Sequence, residues 1–573
     1  MNSLKEAKVS LSILCLLSLF LAACQPVVFT PTTIPQATDA EIAIPTSTPT
    51  PLPLPTVTST PTPTLAPESD FIKGVWFVDW GLGEGVDTLD GTVVLRDIIH
   101  PLGANWIAIQ LPCSMDIKTP NIIKCNVDNS LPDSAIVNVT NTAHSLGLRV
   151  ALFPFVLDVT GVPGNWSAGM DFGSSAGAWS MYFDAYADQL LHYAELAEQN
   201  NIDLLIIGGE QTGAHSQEEH WRALISQVRV VYHGPITYEA WCQHFKTVHW
   251  WDAVDYIGVN FYCFPLSKSQ NPRPEEVKKN YLKFLEMVKT GTSRWNKPVI
   301  FTEIGYQSVN GVSQIVPFGY PPVLLDVEEQ GILAQGFFDA LKEFGNDDGW
   351  LKGLFWYNFT SNPLLGGAGD INFTPHNKPA EEYLRAYYTN QPVANTPAPI
   401  PQFEEGQIVT SYWLFSDQLE NGTRIGPSWT GTSKQTIVAD PIGERGDVIS
   451  VRNIDYGEGY RLEIFPPIKM RDFDFIELYL YSPVYEPNLP IHFEDSGGQW
   501  IPRWLYIRSF IDHEPLLDRH WHRIQIPLAT LFPTDRPDIQ ASVSYIYFVH
   551  NWPGQPGPIT FFMDDVRLIK VKQ

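Results

Sequence analysis

Two glutamates each come directly after an apolar run with the composition of a buried β-strand. Glu210 closes Ile206-Ile207-Gly208-Gly209-Glu210, and Glu303 closes Ile300-Phe301-Thr302-Glu303. A carboxyl group can donate a proton when neutral and can attack or stabilise an electrophilic carbon when ionised. Two such groups at one site would suit hydrolysis of a glycosidic bond, which uses one acid to protonate the leaving oxygen and one carboxylate at the anomeric carbon.

A single glutamate after an apolar run is more often a helix start or a surface residue than a catalyst. Two glutamates at matching strand ends, in a chain with 18 Trp, 23 Tyr and 31 Phe, favour catalysis. Asp79 and Asp158 also lie near strands. Asp255 precedes its strand, so it would lie at the opposite end of a parallel barrel and is a poor candidate.

The elements that must position these glutamates lie between residues 70 and 389, where eight apolar runs alternate with helical patterns. The runs are Gly74–Val78, Trp106–Gln110, Leu148–Phe153, Leu204–Gly208, Ile236–Tyr238, Tyr256–Asn260, Val299–Thr302 and Leu354–Asn358. Helical spacing is seen at Trp221, Leu224, Ile225 and Val228, and again at Leu333, Phe337, Leu341 and Phe344. This alternation predicts an α/β fold, a (β/α)₈ TIM barrel, whose reactive groups lie at the carboxyl ends of the strands.

Residues 404–573 have a different pattern, in which alternating runs follow one another without clear helices. The runs include Phe475–Tyr481, Trp521–Ile526, Val543–Val549 and Ile559–Asp564. They predict an all-β sandwich, and the last run resembles the final strand of jelly-roll carbohydrate-binding modules. Tryptophans that could be sugar platforms or core residues are Trp429, Trp500, Trp504, Trp521 and Trp552. A domain that only stabilises or spaces the chain is the alternative.

The amino terminus has the pattern of an export signal. Lys5 and Lys8 precede an apolar run from Val9 to Leu21, and Leu21-Ala22-Ala23-Cys24 resembles a bacterial lipobox. We therefore expect a signal peptide over 1–23 and lipidation of Cys24, with an ordinary signal peptide as the alternative. A Pro/Thr-rich linker is expected over 24–69 and a second linker over 390–403. The predicted location is the cell surface, anchored to the bacterial membrane.

The sequence has six cysteines. Cys15 would be removed with the signal peptide and Cys24 would be lipidated, which leaves four cysteines, and export makes disulfides among these four plausible. We expect Cys113 to pair with Cys125 and Cys242 with Cys263, with four reduced thiols as the alternative. Their spacing fits no zinc site, and the sequence predicts neither a metal nor a cofactor.

The formal net charge of -26 argues against nucleic acid as a partner, because a phosphate backbone is held by Lys and Arg. Flat apolar rings suit the C–H faces of sugars, so the expected partner is a polysaccharide. At 573 residues the chain is long enough for several cores, and we expect a monomer.

One stretch of the predicted barrel resembles glycoside hydrolase family 113, which consists largely of retaining endo-β-mannanases. The resemblance is carried by Trp221–Ile225, Val228-Arg229, Tyr232–Tyr238, Trp251-Asp252, Asp255–Tyr262 and Lys297–Tyr306. It implies that Glu210 is the general acid/base and Glu303 the nucleophile. It also implies that Tyr262 hydrogen-bonds the nucleophile and that Trp356 forms the floor beneath the cleaved sugar.

Further substrate-binding candidates are residues at or near strand ends. They are Trp76, Trp241, Tyr306 and Asn260, and the aromatic ones could equally be packing residues. Trp80 and Trp166 are further candidate sugar platforms.

Three departures from the pattern of related enzymes leave the substrate open. Gly209 stands where many such enzymes have Asn, Phe153-Pro154-Phe155 lacks a polar residue, and Glu239-Ala240-Trp241 lacks an Asn. The predicted function is a retaining endo-β-1,4-mannanase. The alternatives are a hydrolase of another β-glycan, such as glucan or xylan, and a surface lipoprotein that binds sugars without cutting them.

Overall fold

The eight predicted apolar runs form the parallel strands of a closed barrel. The strands are β1 (Ile72–Phe77), β2 (Trp106–Met115), β3 (Arg149–Asp158), β4 (Leu204–Gly209), β5 (Ile236–Trp241), β6 (Tyr256–Asn260), β7 (Val299–Ile304) and β8 (Leu351–Phe359). Each strand pairs in parallel with the next, and β1 pairs with both β2 and β8, which closes the ring. The TIM-barrel prediction is confirmed.

This computed structural model describes most of the chain from residue 71 onward. The described ranges are 71–79, 85–125, 131–158, 170–269, 272–314, 325–393, 403–426, 434–454, 458–483, 489–501, 505–510, 520–534, 539, 541–549 and 559–572. The predicted signal peptide, Cys24 and the first linker lie outside these ranges, as does most of the second linker. The domain boundaries therefore remain predictions. Within the described ranges, no helix has the length and apolar character needed to cross a bilayer.

Helices cover the outside of the barrel. They are α1 (Leu89–Val93), continued by a π-helical segment (Val94–Ile99), α2 (Asp133–Ser145), α3 (Ala176–Gln199), α4 (Glu218–Val231), α5 (Pro274–Thr292), α6 (Val327–Phe344) and α7 (Pro379–Thr389). Local sequence sets several starts. Asp326 caps α6 by accepting from the Glu329 amide at 2.8 Å, and α5 and α7 begin at proline, which needs no amide partner there.

One expected helix is missing. Residues 242–255 join β5 to β6 through two 3₁₀ turns, Phe245–Thr247 and Trp251–Ala253, so the expectation of a complete strand-helix unit is wrong here. Buried Trp250 and Trp251 fill the space instead, and the Trp250 ring stacks on Trp221 of α4 with centroids 4.9 Å apart.

Strand alternation divides the apolar residues of the barrel into two cores. Outward-facing residues such as Phe301 and Trp356 pack with helix residues such as Trp221 and Phe337. Inward-facing residues such as Trp76 and Phe153 form a separate cluster that contains no helix residue. The predicted helical faces are correct, since the spaced apolar residues of α4 are all buried.

Both expected disulfides are present. Cys113 is bonded to Cys125, and Cys242 is bonded to Cys263. The second bond links the residue after the end of β5 to the chain that follows β6. It therefore ties together two of the loops at the carboxyl end of the barrel.

The C-terminal region consists of antiparallel sheets, as predicted. The strands are β9 (Ile408–Ser416), β10 (Gln418–Leu419), β11 (Thr423–Gly426), β12 (Lys434–Ala439), β13 (Asp447–Ile454), β14 (Gly459–Lys469), β15 (Phe475–Tyr481), β16 (Pro490–Asp495), β17 (Leu505–Tyr506), β18 (His522–Pro527), β19 (Ser542–Val549) and β20 (Ile559–Val571), with one short helix, α8 (Leu528–Leu531). They form a seven-stranded and a five-stranded sheet. Residues of both sheets, including Leu478 and Ile546, share one buried core.

Candidate active site

Glu210 lies immediately after β4, at the carboxyl end of the barrel. Its backbone has φ 56°, in the left-handed region that few non-glycine residues occupy. The Glu210 amide donates to the carbonyl oxygen of Glu239 at 2.9 Å, which anchors this conformation. A non-glycine residue held in such a conformation is common at functional sites, because the surrounding structure must impose it.

Gly209, which precedes Glu210, has a packing reason to be glycine. A Cβ atom added there would lie 2.6 Å from the Phe153 ring and 2.7 Å from the Glu239 side chain. The Glu239 carboxyl group thus occupies the space that a side chain at position 209 would need.

Glu303 lies within β7, which ends at Ile304, whereas the sequence predicts that the strand ends at Thr302. It is paired in register with Asn260, the last residue of β6. Its carboxylate accepts from the Gln110 amide, Nε2 to Oε1, at 3.4 Å and from the hydroxyl group of Tyr262. Both donors favour its ionised form.

Asn260 connects the environments of the two catalytic candidates. Its Nδ2 donates to Oε1 of Glu210 at 2.7 Å, and its Oδ1 accepts from the Thr302 hydroxyl at 2.8 Å. Because Thr302 immediately precedes Glu303, the side chain of Asn260 ties the acid after β4 to the strand that carries the acid of β7.

Burial dominates the electrostatics of these two acids. Burial raises the pKa of Glu210 to about 7, against the opposing effects of Asn260 and of Trp241. Burial, and then the charge of Glu210, raises the pKa of Glu303 well above its usual value, against the effect of Tyr262. Their protonation is therefore linked, and the pair can hold one proton near neutral pH, as an acid and a carboxylate acting together require.

A third carboxyl group, that of Glu239 on β5, is buried close enough to Glu303 and Glu210 for their charges to act on it. Glu239 is 1% exposed, and burial followed by the charges of Glu303 and Glu210 raises its pKa well above the usual value. Glu239 is not among the predicted site residues and stands only in a segment that departs from the related enzymes. Every second residue of β5 faces the barrel interior, so the alternation of this strand predicts that Glu239 faces the same interior as the two candidate acids.

Four of the six predicted substrate-binding residues lie at the carboxylates or just below them. Tyr262 contacts Glu303, Asn260 contacts Glu210, and the partly exposed Trp241 lies beside Glu210 at the end of β5. Trp76 is fully buried, and its indole Nε1 donates to the carbonyl oxygen of Thr302 at 2.7 Å. It therefore supports the floor of the site from below and offers no face to a sugar.

The other two predicted residues lie on the outside of the barrel. Trp356 stacks on Phe338 of α6 with centroids 5.6 Å apart, and the Tyr306 hydroxyl hydrogen-bonds that of Tyr281 on α5. Both are fully buried away from the site, so the structure does not support the predicted sugar floor at Trp356 or the sugar platform at Tyr306. Trp80 and Trp166 lie outside the described residues.

Tyr357, the neighbour of Trp356, faces the interior instead. It packs on Trp76 and Phe373 with centroids 6.2 Å and 5.3 Å apart, and its hydroxyl interacts with that of Tyr262. Adjacent strand residues point to opposite faces, so Trp356 lies on the outer face of β8 and Tyr357 on the inner face. Gln110 and Thr302 were also missed, although both follow the same inward alternation.

Among the described residues, no group of three or more His, Cys, Asp or Glu side chains could hold a metal ion.

The arrangement of acids at the carboxyl ends of β4 and β7 can be set beside known proteins. The model of Glycoside Hydrolase Family 113 matches residues 92–378 of this chain. The chain belongs to glycoside hydrolase family 113. It is therefore a glycoside hydrolase, and the family model spans both Glu210 and Glu303. No match is found among curated proteins.

The solved structures to which this chain is similar include the following mannanases. A GH113 β-1,4-mannanase determined as a complex shares 24% identity over 56% of this chain and 99% of its own, with a TM-score of 0.49. The GH113 β-mannanase AaManA from Alicyclobacillus acidocaldarius, in complex with ManMIm, shares 24% over 56% and 97%, with a TM-score of 0.48. The endo-1,4-β-D-mannanase from Thermotoga petrophila RKU-1 shares 12% over 56% and 99%, with a TM-score of 0.38.

Proposed function

We propose that this family 113 hydrolase is an endo-β-1,4-mannanase that retains the anomeric configuration. The observation that carries the proposal is the pair of buried carboxyl groups at the ends of β4 and β7, one of which, Glu210, accepts from Asn260 on the strand that pairs with β7. Glu210 serves as the general acid/base and Glu303 as the nucleophile. Mannan is the proposed substrate because the family to which the chain belongs consists largely of β-mannanases.

The reaction has two displacements. In the first, Glu303 attacks the anomeric carbon while Glu210 gives its proton to the leaving oxygen, so a glycosyl ester forms and the shortened chain departs. In the second, ionised Glu210 takes a proton from water as the water attacks the same carbon, and Glu303 leaves as a carboxylate. A Glu210 pKa of about 7 suits both roles at neutral pH.

A substrate panel tests the activity. The protein is incubated with mannan, glucomannan, xylan and β-glucan, and reducing ends are measured. We expect the largest rate on mannan or glucomannan. A higher rate on xylan or β-glucan would mean that the substrate is another β-glycan, hydrolysed by the same mechanism. Binding without products would favour a surface protein that holds sugars without cutting them.

Azide rescue tests the role of Glu303. The Glu303→Ala variant should lose turnover, and azide should restore it by attacking from the face that Glu303 leaves open, which gives an α-glycosyl azide. A β-configured azide would contradict the nucleophile assignment.

For the C-terminal sheets we propose a glycan-holding role on the outer face of the five-stranded sheet. Trp500 is 51% exposed and packs against Tyr547 and His492 with centroids 4.8 Å and 5.4 Å apart. Tyr545 and the exposed ring of Phe465 continue the strip. Aromatic faces beside polar groups suit a neutral sugar chain, and tethering raises its local concentration.

The same strip gives a direct test. In the inactive Glu303→Ala background, Trp500→Ala should weaken binding to insoluble mannan at least about fivefold, the effect of losing one aromatic contact of about 1 kcal/mol. Trp521→Ala is the matched control, because Trp521 packs on Tyr481 of the other sheet. Equal binding by all three proteins would remove the glycan-holding role. Trp429, Trp504 and Trp552 lie outside the described residues.

We further propose that the protein is a surface lipoprotein anchored through Cys24. The support is the lipobox-like sequence and the export signal before it. Metabolic labelling with a fatty acid should mark the native chain and not Cys24→Ser. Labelling of neither protein would leave an ordinary secreted enzyme.

A further inference from the structure

The backbone on both sides of the Glu210 side chain is anchored to two successive residues of β5. The Glu210 amide donates to the carbonyl oxygen of Glu239 at 2.9 Å. The next amide, that of Gln211, donates to the hydroxyl oxygen of Tyr238 at 2.9 Å. The first bond holds the peptide plane before the Glu210 Cα atom, and the second holds the plane after it. Together they fix φ and ψ of Glu210, and these two angles set the direction in which its side chain leaves the backbone.

Tyr238 reaches this turn from the helix side of the barrel wall. Its ring belongs to the core between the strands and the helices, and it packs edge-on against Trp221 of α4 and against Trp250, with centroids 5.1 Å and 5.0 Å apart. The side chain is completely buried. Packing outside the substrate pocket therefore holds the Tyr238 hydroxyl group in place.

A buried histidine determines where the proton of the Tyr238 hydroxyl group goes. His215 Nε2 lies 3.0 Å from that hydroxyl oxygen, and His215 Nδ1 lies 2.7 Å from Oγ1 of Thr247. The Thr247 hydroxyl donates its one proton to the carbonyl oxygen of His244 at 2.8 Å, so toward His215 it can only accept. Nδ1 of His215 therefore carries a proton.

The other ring nitrogen of His215 is then an acceptor. Burial lowers the pKa of His215 to about 4, so the imidazole is neutral at neutral pH and its Nε2 carries no proton. Tyr238 consequently donates to Nε2 of His215, while its oxygen accepts from the Gln211 amide. The donor and an acceptor site of the hydroxyl group are both used, which fixes its orientation.

The residue after Glu210 is held from a second direction. Oε1 of the buried Gln211 side chain accepts from the hydroxyl group of Tyr182 on α3 at 2.8 Å. The Thr212 amide donates to the Glu210 carbonyl oxygen at 2.8 Å, which forms a tight γ-turn centred on Gln211. These anchors use only the backbone of Glu210 and the residues after it, so its carboxyl group stays available to Asn260 inside the barrel.

We propose that Tyr238 is a positioning residue for the general acid: its hydroxyl group, oriented by His215, holds the peptide that follows Glu210 and so directs the Glu210 carboxyl group at the leaving oxygen. This inference rests on the proposed function. It assigns neither Tyr238 nor His215 a contact with substrate. It also accounts for a non-glycine residue in the left-handed region, which persists only where the surroundings impose it.

The test is Tyr238→Phe, which removes the hydroxyl group and keeps the ring. It is assayed on an unmodified oligosaccharide of the glycan that the wild type cleaves and on the 2,4-dinitrophenyl glycoside of the same sugar. The oligosaccharide needs a proton from Glu210, whereas dinitrophenolate leaves without one. We expect a loss in kcat/KM of at least about 10-fold on the oligosaccharide, a part of the roughly 10²- to 10⁴-fold that general acid catalysis contributes, and of under about 3-fold on the aryl glycoside.

Tyr232→Phe is the matched control. Tyr232 is also fully buried, and its hydroxyl group donates to the carbonyl oxygen of Ile202 at 2.8 Å. Ile202 precedes β4, at the opposite end of that strand from Glu210, so this variant should leave kcat/KM unchanged on both substrates. Equal losses of Tyr238→Phe on the two substrates, or no loss on either, would overturn the inference.

His215→Leu decides the question if Tyr238→Phe does not fold. It deprives the Tyr238 proton of its acceptor, so we expect a loss confined to the oligosaccharide. His215→Gln, whose side-chain oxygen can accept that proton, should recover most of the loss. An equal loss of His215→Leu on both substrates, or none, would again overturn the inference. A wild type that cleaves no glycan would instead overturn the proposed function.

Discussion

The active site and the C-terminal sheets both bury carboxyl groups, but they treat them differently. In the sheets, the buried Glu477 accepts from Arg523 at 2.7 Å and from Arg567 at 2.6 Å. In the barrel, Glu210, Glu239 and Glu303 lie together, and among the described residues no arginine or lysine forms an ion pair with them. The buried carboxyl group in the sheets is neutralised by arginines, whereas those at the candidate active site are not, which is the environment that the proposed chemistry requires.

The largest expected effect is on catalysis. Glu303→Gln should lower kcat/KM by at least about 10³-fold, because it removes the nucleophile without changing the shape of the side chain. Its free energy of unfolding should be equal to or higher than that of the wild type, since a buried carboxyl group is lost. Urea unfolding checks the second half, and a clear loss of stability would mean that Glu303 is structural as well.

The opposite result is expected for Glu477→Gln. This change leaves two arginines facing a neutral group, and breaking a buried ion pair costs about 3 to 5 kcal/mol of unfolding free energy. Hydrolysis by the folded protein should be retained. Glu405→Gln is the control, since Glu405 pairs with the same arginines but is largely exposed. Equal losses of unfolding free energy in Glu477→Gln and Glu405→Gln would contradict the special contribution of the buried ion pair.

The site should also impose a pH dependence on stability. The pKa of Glu210 is raised from 4.5 to about 7 in the folded protein, so the folded state binds this proton more tightly than the unfolded chain does. Its contribution to stability is present below about pH 4.5 and is lost as the pH rises to about 7, at a total cost of about 3 kcal/mol.

Glu210→Gln removes this dependence. The stability of the variant relative to the wild type should therefore increase between pH 4.5 and pH 8, as measured by denaturant unfolding at each pH. A difference that is constant across this range would show that Glu210 has an ordinary pKa.

The smallest expected effects separate the two faces of β8. Trp356→Phe should cost about 1 to 3 kcal/mol of unfolding free energy through lost packing on Phe338 and leave kcat/KM unaltered. Tyr357→Phe should do the reverse, lowering kcat/KM several-fold with a stability change under about 1 kcal/mol. Loss of activity in Trp356→Phe but not in Tyr357→Phe would support the predicted sugar floor at Trp356.

The fold was predictable because hydrophobic periodicity extends over whole strands and helices and does not depend on the exact position of any one side chain. Eight apolar runs were enough to give the barrel, and the period-two runs after residue 404 gave the antiparallel sheets. The missing helix between β5 and β6 was not predictable in this way, since Trp250 and Trp251 replace it by tertiary packing on α4.

The site was predictable only in part. Glu210 and Glu303 follow from their places at strand ends, whereas choosing between Trp356 and Tyr357 requires the strand register.

Covalent trapping tests the central claim most directly. A 2-deoxy-2-fluoro glycosyl fluoride of the cleaved sugar is expected to form a stable ester with the nucleophile, and peptide mass spectrometry should place the label on Glu303 and leave Glu303→Gln unlabelled. A label on Glu210 or Glu239 would contradict the account.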